Sequence, residues 1–259
     1  MSAAAMVEAC ALFGISGNAA RVTLVRLCAE RRLERVSAGT YVLTRFSQPL
    51  NRHVREWSRL EDLTRPWDGA WITTNFEDAT ARARANRTRV MRHARFALAA
   101  PTLAVRPNNL QTRPEEYSTF LIGLGLEGSF VVARSEIADP AVAERWARSL
   151  WPVQKLRGDH DRLAARVEAG LIRLARIPFE RGLVESFTLG GEAIRALVLD
   201  PLLPEEIMPG ASRARLLAAM IAYDRAGRAL WRRFNARFED SARTDLAPFD
   251  TETDSFADN

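Results

Sequence analysis

The sequence has few of the residues that most often bind metals or carry redox chemistry. It contains two cysteines, Cys10 and Cys28, each flanked by apolar side chains on a predicted helix. This setting is typical of two buried thiols, with a redox pair as the alternative. The three histidines, His53, His93 and His160, lack the clustered spacing of a zinc site. We therefore expect neither a metal nor a cofactor.

Long apolar runs and targeting signals are also absent. No stretch of eighteen apolar residues occurs, so we expect no membrane partner. The N-terminus lacks a basic region followed by an apolar stretch and a cleavage site, which favours a cytoplasmic protein. Apolar residues make up 47% and charged residues 27% of the chain, proportions typical of a globular protein.

The formal charge of +5 is unevenly spread along the 259 residues. Residues 1–60 hold nine arginines and four glutamates, a net of +5, and such a basic region favours a polyanionic partner. Residues 239–259 hold seven acidic residues and one arginine, a net of −6, which predicts a solvated, disordered tail. The chain has a single lysine, and an excess of arginine can follow genomic base composition. The arginine excess is therefore weak support for a nucleic-acid partner by itself.

The basic N-terminal region has the order of elements of a winged helix-turn-helix. Residues 3–13 show an apolar helical pattern and are followed by a short connector bounded by glycines. A second helix is predicted at about 19–32, capped by Ser16 or Asn18. Residues 36–43 then place β-forming side chains on both sides of an Ala-Gly pair, which predicts a hairpin. Helix, turn, helix and hairpin in this order favour DNA binding.

The second of these helices has an apolar face and a face suited to the DNA major groove. Ala20, Leu24 and Leu27 recur at helical spacing and predict the buried side. Arginine can donate paired hydrogen bonds to guanine or phosphate, and valine can contact thymine methyl groups. The DNA-binding residues that we predict are Asn18, Arg21, Val22, Val25 and Arg26. The alternative for the whole helix is an ordinary amphipathic helix with a solvated arginine face. For Arg21 alone, a phosphate clamp and an internal salt bridge are further alternatives to a base contact.

The middle of the chain alternates between strand and helix patterns. The predicted elements are, in order, a strand at 70–76, a helix at 78–95, strands at 96–105, 119–126 and 129–133, and a helix at 140–151. This order favours a small α+β layer of ferredoxin-like type. The helix at 78–95 carries six arginines, which could contact DNA phosphates or an effector's phosphates, although a solvated face explains most of them.

The C-terminal part is predicted to be mainly helical. Helices are predicted at 159–177 and 211–238, with a short apolar helix or strand at 192–199 and a proline-punctuated loop at 200–210. Asp159 is predicted to cap the first of these helices.

Residues 123–128 match the dinucleotide fingerprint G-x-G-x-x-G. That fingerprint requires a helix whose N-terminus holds the pyrophosphate, and a strand pattern follows here instead. We therefore interpret it as a glycine-rich turn. Neither a Walker loop nor a G-x-S-x-G motif occurs, and no catalytic residues are assigned.

Several segments together resemble the PaaX family, named for the phenylacetic acid catabolon repressor. LFGISGNAARVTLVRLCAERRLERVSAGTYVLT (12–44) resembles its N-terminal domain. WDGAWI (67–72), ARSLWPVQKLRGDHDRLAAR (147–166) and DPLLPEEIMPG (200–210) resemble its central and C-terminal blocks, in the same order. One departure concerns Arg31-Arg32, where family members usually have Gly-Trp. Because glycine there would allow a positive φ, we expect the path from the helix into the hairpin to differ.

The resemblance implies a dimeric transcriptional repressor released from DNA by an acyl-coenzyme A or aromatic-acid effector. It also implies a central domain like the Cas2 fold, but Thr74-Asn75-Phe76 stands where metal-dependent cleavage would need an acid. The domains that we predict are a winged helix-turn-helix at 1–45, a helical linker at 46–66, a ferredoxin-like (Cas2-like) domain at 67–155, a helical domain at 156–240 and an acidic tail at 241–259. The alternatives are an enzyme or nucleotide-binding protein whose basic head is only a tether, and an architectural DNA-binding protein.

Overall fold

The computed structural model describes residues 2–37, 39–44, 56–77 and 80–244, without the side chains of Glu56 and of residues 239–244. It divides into two compact units. One comprises the residues up to Val42 together with those from Arg228 onward, and the other comprises Leu43–Gly227. Residues 46–55 of the predicted linker and residues 245–259 of the predicted tail lie outside the described residues.

The first unit contains the N-terminal helices and hairpin. Its elements are α1 (Ala3–Leu12), α2 (Gly17–Ala29), β1 (Leu33–Ser37) and β2 (Thr40–Leu43), together with the second half of α8 (Ala211–Thr244). Ser2 caps α1 by accepting a hydrogen bond from the backbone N–H of Ala5 at 3.1 Å. β1 and β2 pair in a two-stranded sheet. The two helices and the hairpin that the sequence predicts are therefore present.

The second unit combines a sheet with helices. Its elements are a 3₁₀ segment (Glu56–Leu63), β3 (Trp71–Phe76), α3 (Ala81–His93), β4 (Ala97–Ala100), β5 (Leu103–Pro107), α4 (Pro114–Gly123), β6 (Phe130–Ser135), α5 (Pro140–Ser149), α6 (Val153–Leu174), α7 (Phe179–Val198) and the first half of α8. The strands form one sheet in the order β4-β5-β3-β6, and all neighbours are antiparallel. The protein is therefore of mixed helix and sheet, as the α+β prediction requires.

The central strand β3 is buried on both faces of the sheet. Side chains alternate along a strand, so Ile72 and Phe76 face one side and Trp71 faces the other. The first side packs against α3 and α4 through Val90, Met91, Tyr117 and Leu121. On the second side the ring of Trp71 lies 5.3 Å from that of Trp146 and 6.3 Å from that of Trp151. The proline-punctuated loop 200–210 covers this side with Leu203 and Met208.

Two long helices, α6 and α7, and the first half of α8 complete the second unit. Ion pairs link α6 to α7, with Arg166 Nη1 at 2.6 Å from Glu192 Oε1 and Arg173 Nη2 at 2.7 Å from Glu185 Oε1. These are surface pairs that typically stabilise a fold by less than about 1 kcal/mol each. The predicted domain boundary between residues 155 and 156 falls inside α6, and the predicted start of the tail at residue 241 falls inside α8.

The strand predicted at 119–126 is wrong, because this segment lies mainly in α4. Pro114 at the first turn and a reciprocal contact between Arg113 and Glu116 start the helix there. Tyr117 and Leu121, four residues apart, then bury the same helical face. The single strand predicted at 96–105 is two strands, β4 and β5, and the strand predicted at 129–133 is present as β6.

The predicted capping role of Asp159 is also wrong. α6 begins at Val153, six residues earlier, so Asp159 lies inside the helix. Its carboxylate contacts Lys155 and Arg162 on the same helix instead. Gly158, directly before it, is also a helical residue.

Candidate nucleic-acid interface

The start of α2 is fixed by a short turn and a serine cap. Gly14 adopts a φ of +74°, which lets the chain reverse direction after α1. Ser16 then accepts a hydrogen bond from the backbone N–H of Ala19 at 3.3 Å. Of the two caps that the sequence allowed, Ser16 is therefore the one that forms, which leaves the side chain of Asn18 exposed in the first turn of α2.

One side of α2 is buried. Ala20 and Leu24 are 4% and 7% exposed, and α2 packs against α1, where Ala5 is buried. Leu27, also predicted on this side, is only partly buried. This packing fixes the rotation of α2, and hence which side chains can reach a partner.

The opposite side of α2 carries all the residues predicted to bind DNA. At about 100° per residue they span an arc of roughly 140°, facing away from Ala20 and Leu24. All of them are exposed: Asn18, Arg21, Val22, Val25 and Arg26. Val22 is 60% and Val25 68% exposed, which is unusual for apolar side chains at the centre of a helix. The structure thus brings the predicted residues to one accessible surface, which we call the α2 face.

The charge of the α2 face is available to a partner. Arg26 Nε lies 3.8 Å from Glu30 Oε1, and Arg32 Nε lies 3.6 Å from Glu30 Oε2. These contacts are solvent-exposed and weak, so an anion can displace Glu30 from Arg26 at little cost. Arg21 lies over the first turn, with Nη1 3.4 Å from the place of a Cβ on Gly17. Within the part of the chain that the structure describes, Arg21 makes no ion pair, so the internal salt bridge considered for it is not formed there.

The hairpin after α2 is held against the start of α1. The backbone N–H of Ala3 donates a hydrogen bond to the carbonyl of Gly39 at 2.6 Å, and Ser2 forms a β-bridge with Thr40. The hairpin therefore contacts α1 as well as α2, and α1 packs against α2. Val36 and Val42 of the hairpin are 56% and 41% exposed, so the hairpin also presents apolar side chains to solvent.

The exit from α2 keeps a glycine-like conformation without a glycine. Arg31 has a φ of +55°. The N–H of Arg31 donates to the carbonyl of Cys28, and the N–H of Arg32 donates to the carbonyl of Leu27, both at 2.9 Å. This is the hydrogen-bond pattern of a Schellman helix end. The turn that a glycine would favour therefore forms here with arginine in the left-handed region.

Two arginines of the predicted basic helix 78–95 are structural. Arg87 is buried, donates to the carbonyls of Pro101 at 2.8 Å and Glu77 at 2.9 Å, and lies 4.3 Å from the centre of the Phe76 ring. Arg95 is buried as well and donates to the carbonyl of Asp200 at 3.0 Å. The remaining arginines of this segment, Arg82, Arg84, Arg89 and Arg92, are exposed.

The G-x-G-x-x-G match forms a turn between α4 and β6. Gly125 and Gly128 have φ values of +88° and +89°. The strand β6 begins at Phe130, so no helix N-terminus follows to hold a pyrophosphate. The arrangement is the glycine-rich turn that the sequence predicts.

A buried polar cluster that the sequence did not predict surrounds Asp200. His160 Nε2 lies 3.2 Å from Asp200 Oδ2, and Arg213 Nη1 donates to Asp200 Oδ1 at 3.2 Å. Burial lowers the pKa of His160, and the carboxylate of Asp200 opposes part of that shift. No group of three or more metal-ligating side chains occurs among the described residues. The only sequence signal for this cluster is Asp200 itself, at the start of the proline-punctuated loop.

Comparison with known proteins shows the fold alone. No family model matches the chain, and no curated protein is similar to it. It is similar to the solved structure of uncharacterized protein Rv0674 from Mycobacterium tuberculosis, with 24% sequence identity and a TM-score of 0.58. The match covers 91% of this chain and 90% of that chain. Of the helices that the structure describes, none combines the length and apolar character needed to cross a bilayer.

Proposed function

We propose that this protein is a sequence-specific, DNA-binding transcriptional regulator that reads duplex DNA through the α2 face. The observation that carries the proposal is the exposure of two arginines and two valines on one side of a helix whose other side is packed. The arginines can donate to guanine or phosphate, and the valines can contact thymine methyl groups. The hairpin β1–β2 would act as the wing beside the groove.

The arrangement of the rest of the chain supports this reading. The elements β3-α3-β4-β5-α4-β6, with the sheet order β4-β5-β3-β6, correspond to the βαββαβ arrangement of ferredoxin-like domains. We infer a winged helix-turn-helix head, a Cas2-like central domain and a helical C-terminal part, as the resemblance to the PaaX family implies. That family resemblance also supports a homodimer that acts as a repressor.

The regulator needs no catalytic group. An acyl-coenzyme A or aromatic-acid effector would release the DNA by binding the DNA-incompetent arrangement more tightly than the competent one. The turn at residues 123–128 offers no helix N-terminus to a nucleotide, which makes the nucleotide-binding alternative the weaker one.

The test is fluorescence anisotropy with duplex DNA from upstream of the protein's own gene. Arg26→Ala should weaken specific binding by about 1–3 kcal/mol if Arg26 contacts a base. The matched control is Arg181→Ala, an exposed arginine on α7, which should leave affinity unchanged. Equal affinity of the two folded variants for the operator would contradict the assignment of the α2 face.

A second comparison separates specific regulation from architectural binding. Affinity for the upstream DNA and for a scrambled duplex of the same length should differ by about 10³-fold or more at physiological salt. Equal affinity for both duplexes would favour an architectural protein instead.

A further inference from the structure

A cavity of about 540 Å³ lies in the second unit, between the end of α3, β4, the start of α6 and the residues after α7. Most of its wall is apolar and comes from Met91, Phe96, Leu98, Leu150, Trp151 and Leu156. Its volume falls within the range of about 300–1,000 Å³ that is typical of small-molecule sites. None of these residues belongs to the α2 face.

The charged groups on the lining favour an anion. Three cationic side chains, Arg92, Arg95 and Lys155, and one acid, Asp159, line the cavity, for a net charge of +2. Lys155 Nζ lies 2.6 Å from Asp159 Oδ2, so these two charges largely satisfy each other. Arg92 is exposed and makes no ion pair with any described residue. Its guanidinium is therefore the group best placed to receive an incoming anion.

Backbone strain is concentrated beside the same cavity. Arg95 has a φ of +67° and Leu202, next to the lining residue Pro201, has a φ of +50°. The two are joined through Asp200: Arg95 Nε donates to its carbonyl at 3.0 Å, and the Leu202 N–H donates to its carboxylate at 2.6 Å. At Arg95 the positive φ ends α3 as that of Arg31 ends α2, because the N–H of Arg95 donates to the carbonyl of Arg92 and the N–H of Phe96 donates to the carbonyl of Met91. Together with the contacts of Asp200, this helix end fixes the wall of the cavity beside Arg92.

We propose that this cavity binds a small monocarboxylate with an apolar body. The carboxylate is held by the guanidinium of Arg92, which can donate two parallel hydrogen bonds to it, and the apolar body packs against Trp151 and Phe96. A carboxylate fits better than a phosphate dianion because Arg92 is the one cation of the lining that no described group engages: Lys155 contacts Asp159, and Arg95 donates to the carbonyl of Asp200. One guanidinium matches one monoanion. This proposal rests on the cavity of the second unit and does not depend on the proposed DNA binding.

The experiment measures ligand affinity by calorimetry on the full-length protein without DNA. Its result therefore does not depend on whether the protein binds DNA. The probes are 4-phenylbutyrate and the neutral 4-phenylbutyramide, which share the same apolar body. The acid should bind about 10-fold or more tightly than the amide, since a charge-assisted hydrogen bond is lost with the amide. This comparison uses the unchanged protein and does not depend on the folding of any variant.

A matched pair of variants locates the site. Arg92→Gln should reduce affinity for 4-phenylbutyrate by about 10-fold and leave the amide unaffected. Arg82→Gln makes the same change on the same helix away from the cavity and should have no effect. Failure of the acid to bind, equal binding of acid and amide, or equal effects of the two variants would overturn the proposal. Tighter binding of 4-phenylbutyryl-coenzyme A than of the free acid would overturn the assignment of the carboxylate as the recognised group.

Discussion

Gly170 in α6 lies where three helices meet, and replacing it with alanine tests how tightly they are packed. A Cβ at this position would lie 2.8 Å from Leu189 Cδ2 of α7 and 3.0 Å from Tyr223 Cε2 of α8. Carbon atoms in favourable contact are about 3.5–4.0 Å apart, so the neighbours would have to move by roughly 0.5–1 Å. Leu189 is 6% and Tyr223 1% exposed, so neither side chain can swing into solvent.

The expected magnitude follows from two opposing effects. Overpacking typically costs about 1–3 kcal/mol, whereas replacing glycine with alanine inside a helix stabilises by about 1 kcal/mol. We expect Gly170→Ala to destabilise the protein by about 1 kcal/mol. The matched control is Gly191→Ala in α7, where a Cβ would meet nothing within 4 Å, and it should stabilise by up to about 1 kcal/mol.

Urea denaturation followed by circular dichroism measures both variants. The free energies of unfolding should differ by about 2 kcal/mol, with Gly191→Ala the more stable. If Gly170→Ala proves as stable as Gly191→Ala, the three helices do not pack as closely as described, and the reasoning is refuted.

Three further predictions concern the first unit, including its proposed DNA binding, and the buried histidine. Glu30→Ala removes the acid beside Arg26, so that Arg26 no longer has to exchange Glu30 for an anion. DNA binding at low salt, measured by fluorescence anisotropy, should strengthen by about 0.3–1 kcal/mol. Unchanged affinity would show that Glu30 lies far from the DNA. Arg31→Gly removes a side chain from a residue with a positive φ and should raise the free energy of unfolding by about 0.5–1 kcal/mol in urea denaturation. A lower free energy of unfolding would mean that contacts of the Arg31 side chain stabilise the protein by more than the positive φ destabilises it. Burial lowers the pKa of His160 below its ordinary value of 6.5, so stability should fall as the pH drops below about 6.5, where the unfolded chain takes up the proton first. This dependence should weaken in His160→Gln, and an unchanged pH profile would contradict it.

Elements with a strong periodic pattern could be predicted from the sequence nearly to their ends. The strand predicted at 70–76 is Trp71–Phe76, and the helix predicted at 211–238 is Ala211–Thr244. β3 is buried on both faces, and α8 has buried side chains from Ser212 to Phe234. In these two elements local pattern and tertiary packing therefore favour the same structure.

Segments with mixed signals could not be predicted in this way. Residues 119–126 contain aromatic and β-branched residues, which are typical of strands, and glycines that resemble turn signals, yet the helix-starting signal lies upstream at Pro114. Asp159 after Gly158 resembles a helix start, but the helix continues through both because its apolar face is already fixed by Leu156, Leu163 and Val167. In each case the deciding information is the packing of the neighbouring turns.

The two candidate sites also differ in how far the sequence alone predicts them. The exposure of the α2 face follows from spacing, because Ala20 and Leu24 can be buried only if Arg21, Val22 and Val25 point the other way. The cavity at Arg92 has no such signature, since its lining comes from segments more than a hundred residues apart in the chain, from Thr88 to Pro201. Its strained residues carry no sequence signal either, because arginine and leucine are not residues that predict a positive φ. The exposed face of one helix can thus be predicted from the sequence, whereas a cavity assembled from several elements requires the folded structure.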